Sequence, residues 1–338
     1  MTYRTVVIVG AGAWGTAMAI SLSAALDVIL VVRSPEDAEE FRRTRMNPRY
    51  LPDCIIPEKV QISADLAGAM AKADLLIIAT PVSAFESVLK SVVGIRKDLP
   101  VIWGCKGICP QTGEPLSTIA EKVMGADACF GAISGPCFAA GLASKHPTAV
   151  VVATNSGRQT TLAIAKSLSN NYLRVYSNSD LTGVQICGAI KNVYAIAAGV
   201  IDGCGWGENT RAGMLTRAVA EARVYIKRHD AKLSTLMGLA GFGDLYLSCG
   251  SRLSRNYQVG MALAAGTPLA TALENLGHVA EGVNTTRLVH KRASELGLDM
   301  PIVTAVWQIL GGERTPRECV EALMSRSIKH EKHYHPPG

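Results

Sequence analysis

The chain opens on a short run, Thr5-Val-Val-Ile-Val9, that is apolar at successive positions rather than at alternate ones. A run of this kind reads as a strand buried on both faces. Similar runs follow at Val28–Val32, Asp74–Thr80, Pro100–Gly104, Ala128–Ser134 and Thr148–Thr154. Segments with helical spacing, such as Thr16–Ala25 and Ala84–Val93, stand between them. The alternation predicts an α/β fold with an N-terminal Rossmann-like, doubly wound parallel sheet. After about Ser179 strand-like runs stop and a helical period takes over, at Leu181–Val200, Thr210–Lys227, Arg255–Ala265, Gly282–Leu296 and Pro316–Met324. The expected organisation is a sheet domain over residues 1–178, an all-helical C-terminal domain over 179–328 and a disordered tail over 329–338.

The first strand runs straight into Gly10-Ala-Gly12-Ala13-Trp14-Gly15, and a helical segment follows at once. That is G-x-G-x-x-G between a buried strand and a helix, the context in which it binds a dinucleotide. Gly10 allows the tight turn, Gly12 lets backbone approach a pyrophosphate, and Gly15 lets the helix pack on the strand. The helix N-terminus offers free N–H groups and a partial positive charge to phosphates. The first strand is therefore the start of a dinucleotide-binding domain.

Composition narrows the class. The 338 residues are 48% hydrophobic and 18% charged, which suits a globular chain with buried cores. No run approaches the roughly 18 uninterrupted apolar residues of a membrane span. Met1-Thr-Tyr-Arg4 leads directly into the first strand, so no signal peptide is expected and a cytoplasmic location is. The nine cysteines are scattered and lack a C-x-x-C pair, so they read as reduced thiols and no metal site is expected. The net charge of +6 with 5% aromatics suits anionic small molecules and does not point to nucleic acid. Arg42-Arg43-Thr-Arg45 reads as a solvated helix face, with a place near the cofactor left open.

The end of the second strand bears on the coenzyme. NAD enzymes of this type carry a carboxylate there for the ribose 2′-hydroxyl. This chain has Arg33-Ser34-Pro35, a cation where the carboxylate would stand, and Glu36 and Asp37 come late enough to open the next helix. Arginine suits a 2′-phosphate by charge and by its planar fork of donors. The expected coenzyme is NADPH, with NADH possible.

Four segments carry candidate chemistry. Ile186–Ile201 is near-continuous apolar helix whose strongly polar members are Lys191 and Asn192. A lysine there either lines a cleft with its pKa lowered by desolvation, which suits proton transfer, or snorkels to the surface. Lys106 follows a strand, where a parallel sheet presents its ligands. Gly238–Ser248 is a glycine-rich turn ending near Asp244. Ser254-Arg255-Asn256 reads as a helix start with Ser254 as N-cap, a natural phosphate cradle.

These blocks together resemble the bacterial type of NAD(P)-dependent glycerol-3-phosphate dehydrogenase, from Val6 to about Ser327. The resemblance lies in GAGAWGTA (10–17), KG (106–107), SGP (134–136), GAIKNVYAIAAGVIDGCGWGEN (188–209), GLAGFGDL (238–245) and LSRN (253–256). It implies reversible reduction of dihydroxyacetone phosphate to sn-glycerol 3-phosphate, feeding phospholipid synthesis, in a homodimer. It implies Lys191 as general acid/base, Lys106 against the substrate carbonyl, and Asp244 orienting Lys191 or substrate. Arg255 and Asn256 would hold the substrate phosphate, with Ser254 and Ser248 nearby and Arg255 reaching the cofactor as well. Gly135 and Cys137 match the substrate loop. Ala13, Trp14, Ala139, Val279 and Glu281 match cofactor contacts, and Arg33 matches the adenosine end.

The chain departs from the family pattern at Cys137, Gly141, Gln185, Cys187, Tyr194 and Cys204. Two other readings stay open. A β-hydroxyacid dehydrogenase shares the layout and the helix lysine, but pairs it with an asparagine four residues on, where this chain has Ala195. A non-catalytic NADPH-binding sensor would keep the glycine turn without needing the lysines.

Overall fold

The computed structural model describes residues 3–277 and 279–328; the tail expected to be disordered lies outside the described residues. Ten strands are described: β1 (Thr5–Val9), β2 (Asp27–Val31), β3 (Met46–Asn47), β4 (Leu51–Ile55), β5 (Gln61–Ser63), β6 (Leu75–Ile78), β7 (Val101–Trp103), β8 (Phe130–Ser134), β9 (Thr148–Thr154) and β10 (Leu173–Asn178). Eight form one sheet in the order β10-β9-β8-β7-β6-β1-β2-β5, and β3 and β4 form a separate hairpin. The helices of this half are α1 (Ala13–Leu22), α2 (Pro35–Thr44), α3 (Leu66–Met70), α4 (Val82–Ile95), α5 (Leu116–Met124), α6 (Ala139–Ala143) and α7 (Gly157–Leu168).

The sheet is not wholly parallel, as the apolar runs had implied: β8 and β9 pair antiparallel, with Gly131 opposite Thr154. The strands at the centre are buried on both faces. Val6, Ile8, Val28 and Leu30 enter one apolar cluster, while Val7, Val9, Ile29 and Val31 enter the other. That double burial is why the runs lack alternation. β10 alternates Leu173 and Val175 inward with Arg174 and Tyr176 outward, so it carries no continuous apolar run. The strand order reverses between β1 and its neighbours β2 and β6, which opens a crevice at their C-terminal ends.

From Leu181 onward the described elements are helical: α8 (Leu181–Gly203), α9 (Gly207–Lys227), α10 (Leu233–Leu236), a π-helical turn (Leu239–Gly243), α11 (Asp244–Cys249), α12 (Arg255–Ala264), α13 (Leu269–Leu276), α14 (Glu281–Glu295), α15 (Pro301–Leu310) and α16 (Pro316–Met324). Asp180 caps α8 by accepting from Gly183 N at 2.8 Å, and its other oxygen accepts from Lys232 N and Thr235 Oγ1 at 2.7 Å each. α8 is long and apolar enough to cross a membrane by length and composition, but its apolar window is wholly buried inside the fold. It is the axis on which α9, α11, α12, α14 and α15 pack, and it also lies against β8 and β9.

The α8–α12 crossing is a backbone contact. A Cβ built on Gly199 would fall 2.0 Å from the Tyr257 carbonyl, and one on Gly260 would fall 2.1 Å from the Ile196 carbonyl. Side chains are excluded at both points, so α12 is set at a fixed height along α8. That fixes the N-terminal turn of α12 relative to Lys191.

Candidate active site

The dinucleotide turn has the shape its sequence implies. Gly10 has φ +110°, and a Cβ there would meet Ala79 and Thr80 beyond β6 at 3.0 Å. A Cβ on Gly15 would lie 2.0 Å from the Gly10 carbonyl, so only glycine closes the turn. A Cβ on Gly12 would touch nothing within 4 Å, and Gly12 caps α1 without a side-chain hydrogen bond. The first N–H groups of α1 therefore face open space flanked by Ala13, with positive potential and no carboxylate cap, which fits a pyrophosphate.

A residue that sequence reasoning missed secures this turn. Asn47, on β3, is fully buried, and its Nδ2 donates to the Ala11 carbonyl and to Thr16 Oγ1, each at 2.8 Å. The hairpin that carries it is clamped by the arginine run. Arg45 donates to the carbonyls of Pro57 and Val60, and Arg42 to that of Ile62. Those two arginines are thus structural. Nothing in the periodicity of this charged stretch marks Asn47.

Arg33 stands exposed just past β2. Ser34 caps α2 by accepting from Asp37 N at 3.1 Å, and Glu36 and Asp37 lie in that helix's first turn. Both carboxylates accordingly belong to the start of α2, and the exposed cation is the charged side chain nearest the end of β2. Replacing Arg33 by glutamate is expected to raise KM for NADPH by about 10- to 100-fold, the value of one or two lost charge-assisted hydrogen bonds. KM for NADH should change little; initial rates with each coenzyme check this.

The structure brings Lys191, Lys106, Asp244 and Ser248 together from three parts of the chain. Lys191, on α8, donates to Asp244 Oδ1 at 3.1 Å and to Ser248 Oγ at 2.6 Å. Lys106, on the loop after β7, donates to Asp244 Oδ2 at 2.6 Å and to the Gly135 carbonyl at 2.9 Å. Asp244 is 1% exposed, so one buried carboxylate bridges two ammonium groups. The π turn before α11 places it. A Cβ on Gly241 would strike the Leu236 carbonyl at 2.0 Å, so the turn packs backbone on backbone and delivers Asp244 at the start of α11.

Burial pushes the Lys191 amine down to about 8, and the neighbouring Lys106 charge pushes the same way, while Asp244 pulls it back up. An amine with that value holds its proton near neutrality and gives it up readily just above. This lysine is not snorkelling; it is 9% exposed.

The remaining residues lie around this cluster and the glycine turn. Trp14 leans from the glycine turn onto Gly104, where a Cβ would meet its ring at 2.2 Å. The Cys137 thiol is pushed up by burial and pulled down by the Lys106 charge and by a hydrogen bond with Trp14, so it neighbours both of those side chains. Gly135 has φ +134°, and Ala139 opens α6 just after Cys137. Gly141 has room for a side chain, with His146 Nδ1 at 3.7 Å from a built Cβ.

In the helical half, Ser254 Oγ caps α12 by accepting from Tyr257 N at 3.4 Å, and Arg255 is exposed at the first position of that helix. Asn256 is instead drawn inward: it donates to Asn192 Oδ1 and accepts from Gly282 N, both at 2.9 Å. Asn192 in turn donates to the Lys106 carbonyl at 3.2 Å. Both amides therefore tie α8, α12, α14 and the Lys106 loop together. Glu281 Oε1 accepts from Val82 N at the start of α4 at 3.1 Å, which joins α14 to the sheet half beside the exposed Val279. Among the departures, Gln185 joins α8 to the start of α5 through Ser117, and Tyr194 is fully buried in the helical core.

Residues 5–160 match the N-terminal, and residues 180–321 the C-terminal, family of NAD-dependent glycerol-3-phosphate dehydrogenase. The chain is 44% identical over 326 residues to a glycerol-3-phosphate dehydrogenase [NAD(P)+] of Dechloromonas aromatica, covering 96% of this chain and 99% of that one. It is 45% identical over 331 residues to the protein of the same name from Aromatoleum aromaticum, with coverage of 96% and 99%. The chain belongs to the NAD(P)-dependent glycerol-3-phosphate dehydrogenase family. The crystal structure of the glycerol-3-phosphate dehydrogenase of Coxiella burnetii superposes with a TM-score of 0.90 at 32% identity, over 96% of this chain and 99% of that one. In this family member the hydroxyacid reading is not favoured. Position 195, four residues after Lys191, is a buried alanine in the helical core, and the polar partners of Lys191 come from α11.

Proposed function

We propose that this dehydrogenase reduces dihydroxyacetone phosphate to sn-glycerol 3-phosphate, reversibly and with NADPH preferred, in the cleft between a sheet domain (1–178) and a helical domain (179–328). The observation that carries the reading is the pair of lysines on one buried carboxylate, Asp244. When bound there, the nicotinamide coenzyme supplies the hydride equivalent that the ketone carbon requires. The chain's own residues do the rest. Protonated Lys191 gives its proton to the C2 oxygen in reduction, and the neutral amine takes it back in oxidation. Lys106, held by Asp244 and the Gly135 carbonyl, fixes the carbonyl oxygen and offsets its growing negative charge. Asp244 orients both amines, and Ser248 sets the rotamer of Lys191. Arg255 and the N–H groups at the start of α12, capped by Ser254, hold the phosphate. Asn256 holds that turn in place through Asn192 and Gly282. Gly135, Cys137 and Ala139 form the loop over the substrate. A cytoplasmic homodimer that feeds glycerophospholipid synthesis belongs to the same reading.

The test is NADPH oxidation on adding dihydroxyacetone phosphate, beside dihydroxyacetone without the phosphate. Turnover of the phosphorylated ketone alone, with sn-glycerol 3-phosphate as product, supports the reading. Equal turnover of both ketones, or none with bound NADPH, contradicts it.

A further inference from the structure

Lys106 reaches Asp244 from the loop 104–115 that joins β7 to α5. This loop is folded on itself. Cys109 N donates to the Glu114 carbonyl and Gly113 N to the Cys109 carbonyl, both at 2.8 Å, and Ile108 and Pro115 form an antiparallel bridge. A displacement at one end is therefore carried to the other. Part of the loop is built into the helical half: Ile108 is buried in the apolar core around α8, and Asn192 holds the Lys106 carbonyl.

The far end of the loop makes a further attachment. Glu114 Oε1 lies 3.1 Å from Arg292 on α14, and Glu114 Oε2 lies 4.0 Å from Nδ1 of His229, which follows α9. The His229 side chain is 8% exposed, and the Tyr225 ring packs on it at 4.9 Å. Burial holds His229 below its ordinary value, so near neutrality the charge that answers Glu114 is that of Arg292. The Tyr225 hydroxyl, His229 Nε2 and Arg292 Nε are all buried without a hydrogen-bond partner among the described residues. Glu114 itself is half-buried, and its carboxylate reaches from the loop to a cation on α14 and a ring beside α9.

We propose that Glu114 is a positioning residue: its attachment to Arg292 and His229 seats the loop on the helical half and so aims Lys106 at Asp244 and the reacting oxygen. This rests on the roles given to Lys106 and Lys191 above. The charged and titratable groups facing Lys191 are Asp244 and Cys249 from α11 and Lys106 from the loop. The Lys106 charge is one of the causes that hold Lys191 down. Releasing the loop takes that charge away, and the midpoint of the pH profile moves up. A substitution that only loosened the fold would reduce the active fraction and leave the midpoint in place.

The experiment compares wild type, Glu114→Gln and Glu114→Asp in dihydroxyacetone phosphate reduction across pH, with folded fraction measured by circular dichroism. Glu114→Gln is expected to lower kcat about tenfold, within the roughly hundredfold that a 1 Å misplacement can cost. KM for NADPH should stay at the wild-type value and the pH midpoint should rise. Glu114→Asp should recover most of the loss. An unchanged kcat and midpoint overturn the proposal, as does a loss of rate that only tracks folded fraction. Should Glu114→Gln fail to fold, Arg292→Lys is read by the same two criteria. Absence of ketone turnover in wild type would instead strike the functional reading itself.

Discussion

Lys191→Met is expected to lower kcat at least about 100-fold in both directions, the range associated with loss of a positioned general acid/base. Coenzyme affinity should be unaffected, because Lys191 contacts Asp244 and Ser248 rather than the glycine turn. The fold should hold as well. Methionine fits the apolar surroundings of α8, and Asp244 keeps its 2.6 Å partner Lys106, so no buried charge is left alone. The measurement is kcat and KM for both substrates together with the thermal midpoint. A variant with wild-type kcat would remove Lys191 from proton transfer; a collapsed thermal midpoint would make it a structural residue.

Asp244→Asn should show a different pattern. The carboxylate is the counter-charge for two ammonium groups, and an asparagine leaves them facing each other. Breaking a buried pair in this way costs about 3 kcal/mol, at the low end of the usual range because Lys191 can shed its proton. Without Asp244 the cause that pulls the Lys191 amine up is gone, and it falls further below its ordinary value. The midpoint of the pH profile should therefore move down in both directions, while the ratio of the two rates at any one pH stays fixed by the reaction's equilibrium. Denaturant unfolding and rates in both directions across pH test this. Losses of rate with an unmoved pH midpoint would show that Asp244 acts on packing alone.

How much of this was legible depends on how local each feature is. The glycine turn is contiguous and its steric demands lie within six residues, so its geometry follows from the sequence. Lys191 stood out because an ammonium group in an apolar helix is costly. Its partnership with Asp244 spans 53 residues and that of Lys106 spans 138, and no periodicity encodes such a meeting. The resemblance implies Asn256 as a phosphate ligand, and the contacts of its amide with Asn192 and Gly282, 64 and 26 residues away, are not encoded in the local pattern. The antiparallel pairing of β9 escaped because a strand buried on both faces reads alike in either direction. The β3–β4 hairpin escaped because most of β4 is exposed and the hairpin's two buried residues, Asn47 and Leu51, form no apolar run.

The central claim is that one buried lysine moves the proton in both directions. It is tested by measuring reduction and oxidation across pH on the same preparation. Reduction needs the protonated amine, so its rate should fall as pH rises through about 8; oxidation needs the neutral amine, so its rate should rise through the same midpoint. Mirror-image profiles that vanish in Lys191→Met are the predicted result. Profiles that move in the same direction, or that persist in Lys191→Met, would contradict the account.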